Sequence, residues 1–176
     1  MNLQPTHLCD ELVELVPLKA QHFEALFAAA SDPLIWEQHP SKDRYKRDVF
    51  QQFFESAMAG NAAFAVVEIV TNAVIGSSRY YDYNGEQKSV AIGFTFLTRP
   101  CWGGRYNQSI KKLMLDHAFE SVDTVIFHIG ENNVRSQVAT QRLGARKLDR
   151  VEEKTYGQQL VRNFVYELTK ERWQSM

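Results

Sequence analysis

Cysteine is scarce in this sequence. Cys9 and Cys101 are the only two among 176 residues, and neither sits in a CxxC or Cys/His spacing. That argues against a disulfide framework or a zinc site and for a reducing, cytoplasmic setting. An excess of either charge is lacking as well: 20 basic against 21 acidic residues leave a net charge of −1. Neither nucleic acid nor an anionic membrane is therefore expected as a partner, and any anionic ligand must be held by local groups. No apolar run approaches a transmembrane length. Asp10, Glu11 and Glu14 interrupt what would otherwise read as a leader. The nine glycines and five prolines are scattered and build no linker, so residues 1–176 read as one domain. Neither GxxxxGK[ST] nor GxGxxG occurs, which sets aside P-loop and dinucleotide-binding chemistry.

What is present is a clear change of hydrophobic period along the chain. Leu12–Leu18 alternates as a strand. Phe23, Leu26, Phe27 and Ala30 follow at helical spacing and stop before Pro33. Residues 31–46 read as a loop or broken helix. Phe50, Phe53, Phe54, Ala57 and Met58 make a second amphipathic helix, closed by Gly60-Asn61. Ala62–Val70, Val74–Tyr83 and Lys88–Leu97 then read as an antiparallel meander, with Asn84-Gly85 as a hairpin signal through positive φ. Asn107–Ser121 is helical, with Ile110, Leu113, Met114 and Ala118 inward and Lys111, Lys112, Asp116 and Glu120 outward. Thr124–Ile129 is a strand and Asn133–Leu143 a helix, with Gly144 as its left-handed cap. Arg146–Lys154 and Leu160–Thr169 are two strands around a turn at Tyr156-Gly157. The expected fold is α/β, with a mixed, mostly antiparallel sheet of six to seven strands and about four helices. The strand–helix–strand unit near residues 90–129 brings in a parallel pair.

The strand ending at Leu97 runs into a turn holding Gly103-Gly104 that opens directly onto a helix. Free backbone N–H groups at the positive end of a helix dipole make an anion site suited to phosphate, and the glycines admit close approach. Asn133-Val134-Arg135-Ser136 follows, then Arg142-Leu143-Gly144-Ala145. Together the two elements resemble the phosphate loop Q/R-x-x-G-x-G/A and the N-x-x-S…x-x-G-[FA] signature of the GNAT N-acetyltransferases, in the same order and spacing. Gly76-Ser77-Ser78-Arg79-Tyr80 and Ile92-Gly93-Phe94-Thr95-Phe96-Leu97 are similar to the subgroup of the RimJ/RimL ribosomal-protein acetyltransferases. Three positions depart from the pattern. Arg105 and Asn107 stand where small residues are usual, and Ala91 stands where the subgroup often has a glutamate that can serve as base.

The resemblance implies a GNAT-like fold with a splayed parallel pair of strands, and transfer of acetyl from acetyl-CoA to a primary amine, with a lean towards protein N-terminal α-amines. No metal is implied. A small-molecule acceptor (an antibiotic, a polyamine, an amino-acid derivative) and a non-catalytic acyl-CoA-binding module are the alternatives. The chain would be a monomer or homodimer. By the same resemblance Phe96, Leu97 and Thr98 pair with the pantetheine arm. Trp102, Gly103, Gly104, Arg105, Tyr106 and Asn107 take the pyrophosphate, with Arg99 and Arg135 supplying charge. Asn133 lies near the thioester, and Ser136 is the proton donor to the leaving thiolate. Trp36, Glu37 and His39 would line the acceptor pocket. Asp82 and His128 are candidate bases beside them, although a histidine within Phe127-His128-Ile129 also suits plain sheet packing.

Overall fold

The computed structural model describes residues 1–156 and 159–176. In chain order its elements are β1 (Leu8–Cys9), β2 (Val13–Pro17), α1 (Phe23–Ala30), α2 (Arg47–Ala59), β3 (Ala63–Glu68), β4 (Val74–Asn84), β5 (Ser89–Leu97), α3 (Tyr106–Ala118), β6 (Thr124–Gly130), α4 (Val134–Arg142), β7 (Arg146–Tyr156), β8 (Gln159–Thr169) and α5 (Lys170–Gln174). The strands form a single sheet in the order β1-β2-β3-β4-β5-β6-β8-β7. All neighbours are antiparallel except β5 and β6. Eight strands and five helices exceed the expected six to seven and four. The additions, β1 and α5, are two and five residues long, too short to show a period of their own. The expected turn at Tyr156-Gly157 falls partly outside the described residues.

Each face of the sheet carries its own apolar layer. Ile110, Met114, Leu115 and Ala118 of α3 are fully buried against Leu15, Phe64, Val66, Tyr80, Val90, Ile92 and Val125. Leu26 and Ala30 of α1 and Phe50, Phe54 and Ala57 of α2 cover Ala63, Ala65 and Phe96 on the opposite face. A large side chain so buried contributes about 1.5–3 kcal/mol, so these two layers hold the sheet rigid between them. Residues 31–46 include two turns of 3₁₀ helix, Pro33–Ile35 and Lys42–Tyr45, and fold back over the second face. Gly144 has the expected left-handed backbone, with φ of 85°.

The hairpin between β4 and β5 differs from the Asn-Gly reading. Its loop is longer, residues 85–88, and the left-handed residue is Lys88 at φ 45°. Asn84 uses its side chain instead, Oδ1 accepting the Gln87 N–H at 2.9 Å.

Two features open the sheet at its centre. β5 and β6 pair only from Ser89↔Thr124 to Ala91↔Ile126, whereas β6 stays paired with β8 as far as Gly130↔Asn163. Against β4, the register of β5 jumps from Arg79↔Gly93 to Ser77↔Phe96, three residues answering two. Phe94 sits in this bulge with φ of 53°, a costly conformation for an aromatic residue. A bulge bends its strand, and this one carries β5 away from β6, leaving a wedge between two parallel strands. β4 follows the bend closely. A Cβ at Gly76 would lie 2.1 Å from the Phe96 carbonyl oxygen, so only glycine fits there.

Candidate active site

The far end of β5 leads through Thr98–Arg105 to α3. Gly103 has φ of 68°, which favours glycine, and a Cβ on either Gly103 or Gly104 would meet nothing within 4 Å. At Gly104, which lacks a positive φ, packing does not explain the missing side chain; open approach to the backbone does. No side chain caps α3. The N–H groups of its first turn therefore have no helical partner and present the positive end of the dipole. That is the local geometry on which the expectation of an anion cradle rests.

A cavity of about 270 Å³ passes from this turn through the wedge to the other face of the sheet. Phe96, Leu97, Trp102, Gly103, Asn107, Asn133, Arg135 and Ser136 line it, together with Trp36 and His39. Thr98, Gly104, Arg105, Tyr106 and Glu37 do not. The Thr98 hydroxyl donates to Cys101 Sγ at 3.4 Å. The Tyr106 hydroxyl donates to Glu68, and Arg105 borders a separate shallow cleft with Lys112 and Arg142. Of the three arginines expected at phosphate, Arg99 and Arg135 are engaged with protein groups. Arg99 pairs with Asp32. Arg135 stacks 3.9 Å above the Trp102 ring and reaches Glu37 at 2.7 Å, tying α4 to the covering loop at the rim of the cleft. Trp102 in turn donates its indole N–H to the Leu97 carbonyl at 2.9 Å. Asn133 caps α4, its Oδ1 accepting the Ser136 N–H at 3.2 Å, which turns Ser136 onto the cavity wall.

On the α2 face the cavity is roofed by residues 35–44. Trp36 is buried and donates to the Ala30 carbonyl at 2.8 Å. His39 accepts the Ser41 N–H at 2.9 Å and lies 3.2 Å from the Arg44 guanidinium. Burial, reinforced by the Arg44 cation, pushes the His39 pKa down to about 3, so this imidazole stays neutral, with a single ring N–H, at physiological pH. Arg44 is itself buried, lying against the rings of Trp36 and Phe53. Of the candidate bases outside the covering loop, Asp82 is exposed in a second bulge of β4, with φ of 49°, away from the cavity. His128 lines the cavity on β6. Its Nδ1 is 2.8 Å from the Tyr81 hydroxyl and its Nε2 is 3.1 Å from Glu152.

Lys111 departs from the sequence expectation. Expected on the outward face of its helix, it is buried and lines the cavity one turn beyond Asn107. Its Nζ donates to Thr95 Oγ1 at 2.6 Å beneath the bulge. Burial brings its pKa down to about 7. Asn163, on β8, is also buried against the cavity, and its Nδ2 has no partner among the described residues. Lys111 was legible: Ile110, Met114, Leu115 and Ala118 define a stripe wide enough to include it. Asn163 carried no local signal. Among the described residues no group of three His, Cys, Asp or Glu is gathered for a metal ion, and no helix is long and apolar enough to cross a membrane.

The family model for the acetyltransferase (GNAT) domain matches residues 13–146, which takes in both the wedge and the turn. No curated protein matches. Among solved structures, one described as an acetyltransferase is 25% identical, with a TM-score of 0.81 over 97% of this chain and 90% of its own. One from Vibrio cholerae described as a ribosomal-protein-serine acetyltransferase is 15% identical, with a TM-score of 0.76 over 94% and 99%. A spermidine N-acetyltransferase from the same organism, solved with CoA and spermine, is 13% identical, with a TM-score of 0.72 over 94% and 99%. At such identities the last two speak for the fold alone. A family model covering most of the chain, a wedge between parallel strands and a glycine turn at an open helix end agree: the chain belongs to the GNAT acetyltransferase family and is an acetyl-CoA-dependent acyltransferase.

Proposed function

We propose that the protein acetylates the α-amine of a peptide or protein. The observation that carries this is the charge of the cavity wall. Arg44 and Arg135 line it with Lys111, which is about half charged at neutral pH, and no Asp or Glu does among the described residues. A polyamine carries several cations and needs carboxylates around it. Here it would meet like charge in a confined space, which is unfavourable. A peptide N-terminus brings one amine followed at once by carbonyl oxygens, which only accept. The unpartnered Asn163 Nδ2 supplies the matching donor, since a buried polar group left unmatched is costly.

In this reading the pyrophosphate rests on the N–H groups of the Gly103-Gly104 turn, and the pantetheine arm extends β5 along Phe96 and Leu97 into the wedge. The thioester carbonyl meets backbone N–H groups that β5 and β6 free by parting after Ala91 and Ile126. Ser136 offers its hydroxyl to the departing thiolate, whose pKa of about 8.5 requires only modest help.

Purified protein, acetyl-CoA and a short peptide with a free N-terminus test the reading. Thiol release matched by a one-acetyl gain in peptide mass is expected, with spermine and spermidine turned over far more slowly. Faster turnover of spermine would overturn the acceptor assignment. Binding of acetyl-CoA without turnover of any amine would leave a binding module. Ser136→Ala should lower kcat roughly tenfold or more while leaving CoA affinity within about twofold; equal losses in both would remove Ser136 as the acid.

A further inference from the structure

Amine acetylation needs a proton acceptor, because an α-amine is largely an ammonium at neutral pH and only its neutral form attacks. The position where a carboxylate would be expected is Ala91, which has none to offer. Ala91 is paired across β4–β5 with Tyr81, and the two residues share the acceptor face. The Tyr81 hydroxyl lies against the start of the wedge: a Cβ built on Gly93 would be 3.2 Å from it. From there it reaches His128 Nδ1 at 2.8 Å, on the strand across the opening. His128 Nε2 meets Glu152 at 3.1 Å, and Glu152 is braced by Arg150 at 3.0 Å.

A carboxylate can only accept, so the His128 proton sits on Nε2 and Nδ1 is left to accept from the Tyr81 O–H. All three side chains project from one face of the sheet. Phe94, held in the bulge, packs its ring edge to face on Tyr81 at 5.1 Å. Tyr81 and His128 line the cavity, while Glu152 stands behind them. Simple packing does not require a tyrosine hydroxyl, an imidazole and a carboxylate in series, ending where the strands part.

We infer that Tyr81 is the group that takes the proton from the acceptor amine, with His128 and Glu152 behind it as positioning residues that complete a relay. The inference rests on the acetyltransferase reading given above. An ammonium proton moves to Tyr81 Oη as the Tyr81 proton moves to His128 Nδ1, and the imidazolium formed is paired with Glu152. The freed lone pair forms the C–N bond to the thioester carbonyl, whose π electrons move onto oxygen. Collapse restores the carbonyl and breaks the C–S bond. The thiolate takes the second amine proton, directly or by way of Ser136, and His128 returns its proton to solvent. One ammonium and one thioester thus yield one amide, one thiol and one released proton.

Tyr81→Phe keeps the ring and its packing but removes the hydroxyl. On a peptide with a free N-terminus it is expected to lower kcat about 100-fold, with little change in KM and an unchanged thermal shift on adding acetyl-CoA. His128→Gln tests the second member through the pH profile. Among the described residues, the charged and titratable groups around His128 include Tyr81, Glu152 with Arg150, Glu167 with Arg146 further along the same face, His39 and Arg44 in the covering loop, and Lys111 and Arg135 on the same cavity wall. His39 stays neutral throughout the range, and Lys111 titrates alike in wild type and variant, so the limb that His128→Gln removes belongs to His128. That limb should be present in the wild type and absent in His128→Gln. An aromatic amine, already neutral at pH 7, does not need the relay, so the Tyr81→Phe defect should shrink several-fold with aniline as acceptor. Wild-type rates from Tyr81→Phe on an amine the wild type acetylates would overturn the relay and leave the acetyltransferase reading intact. So would a Tyr81→Phe defect equal on peptide and aniline, or an acid limb unchanged in His128→Gln. Failure of the wild type on every amine would instead bring down both.

Discussion

Lys111 shows how far one side chain can depart from its type. An ammonium ordinarily titrates near 10.4, but here burial brings the pKa down to about 7, and the neighbours that receive its hydrogen bonds are hydroxyls. Between those two values the unfolded chain holds a proton that the folded chain does not, so this residue makes wild-type stability rise with pH across the interval and weighs most heavily below about pH 7. Lys111→Met, similar in length and fully apolar, is therefore expected to raise Tm, and to raise it more at about pH 6 than at about pH 9.5. Calorimetry at the two pH values checks the sign; a gain that grows with pH would show that the lysine is not buried as a costly charge. Lys111 also marks where residue-level reading fell short. Charge was taken as the guide to its face, although its spacing from Met114 and Leu115 placed it in the buried stripe. Glycines served unevenly: Gly144 has the positive φ its cap implies, whereas neither Asn84 nor Gly85 has the one expected of their turn.

At the level of elements, β4 and β5 determine the shape of the wedge, and they approach closely at Gly76. Gly76→Ala places a methyl 2.1 Å from a carbonyl oxygen that cannot retreat without breaking the ladder. A loss of roughly 3 kcal/mol or more is expected by denaturant unfolding, together with weaker CoA binding, since β5 must shift. A loss below about 0.5 kcal/mol would mean that the strands part easily. The meander, the parallel pair and the glycine turn were all legible in sequence, because each rests on period or on turn chemistry. The bulge at Phe94 was not, since nothing local marks an aromatic residue for positive φ; tertiary packing imposes it. Tyr81, His128, Glu152 and Asn163 come from four strands, β4, β6, β7 and β8, and are gathered only by the strand order. Tyr81 and its neighbours accordingly read as sheet packing, and His128 remained one candidate base among several.

Across the whole molecule, the sheet is two unequal parts, β1 to β5 and β6 to β8, joined in the middle by only three residue pairs. A ligand that fills the wedge touches both parts in the folded chain and neither in the unfolded one. Acetyl-CoA at 100 times its Kd should add about 2.7 kcal/mol, raising Tm by roughly 5–10 °C for a chain of this length. Hydrogen exchange should slow most at residues 91–97 and 126–130, and little at β1 or β2. Uniform slowing over the whole sheet would contradict a wedge-bound arm.

That narrow central joint has a consequence for the protein between turnovers. When CoA departs, the seam between the two parts is left with three rungs, and the strands beyond it have bare edges facing each other. A protease probing the empty chain should find its openings there before it finds them in either flank. Supply of the acyl donor would then govern how long each copy survives as well as how fast it works, and starvation for acetyl groups would thin the population of the protein that spends them.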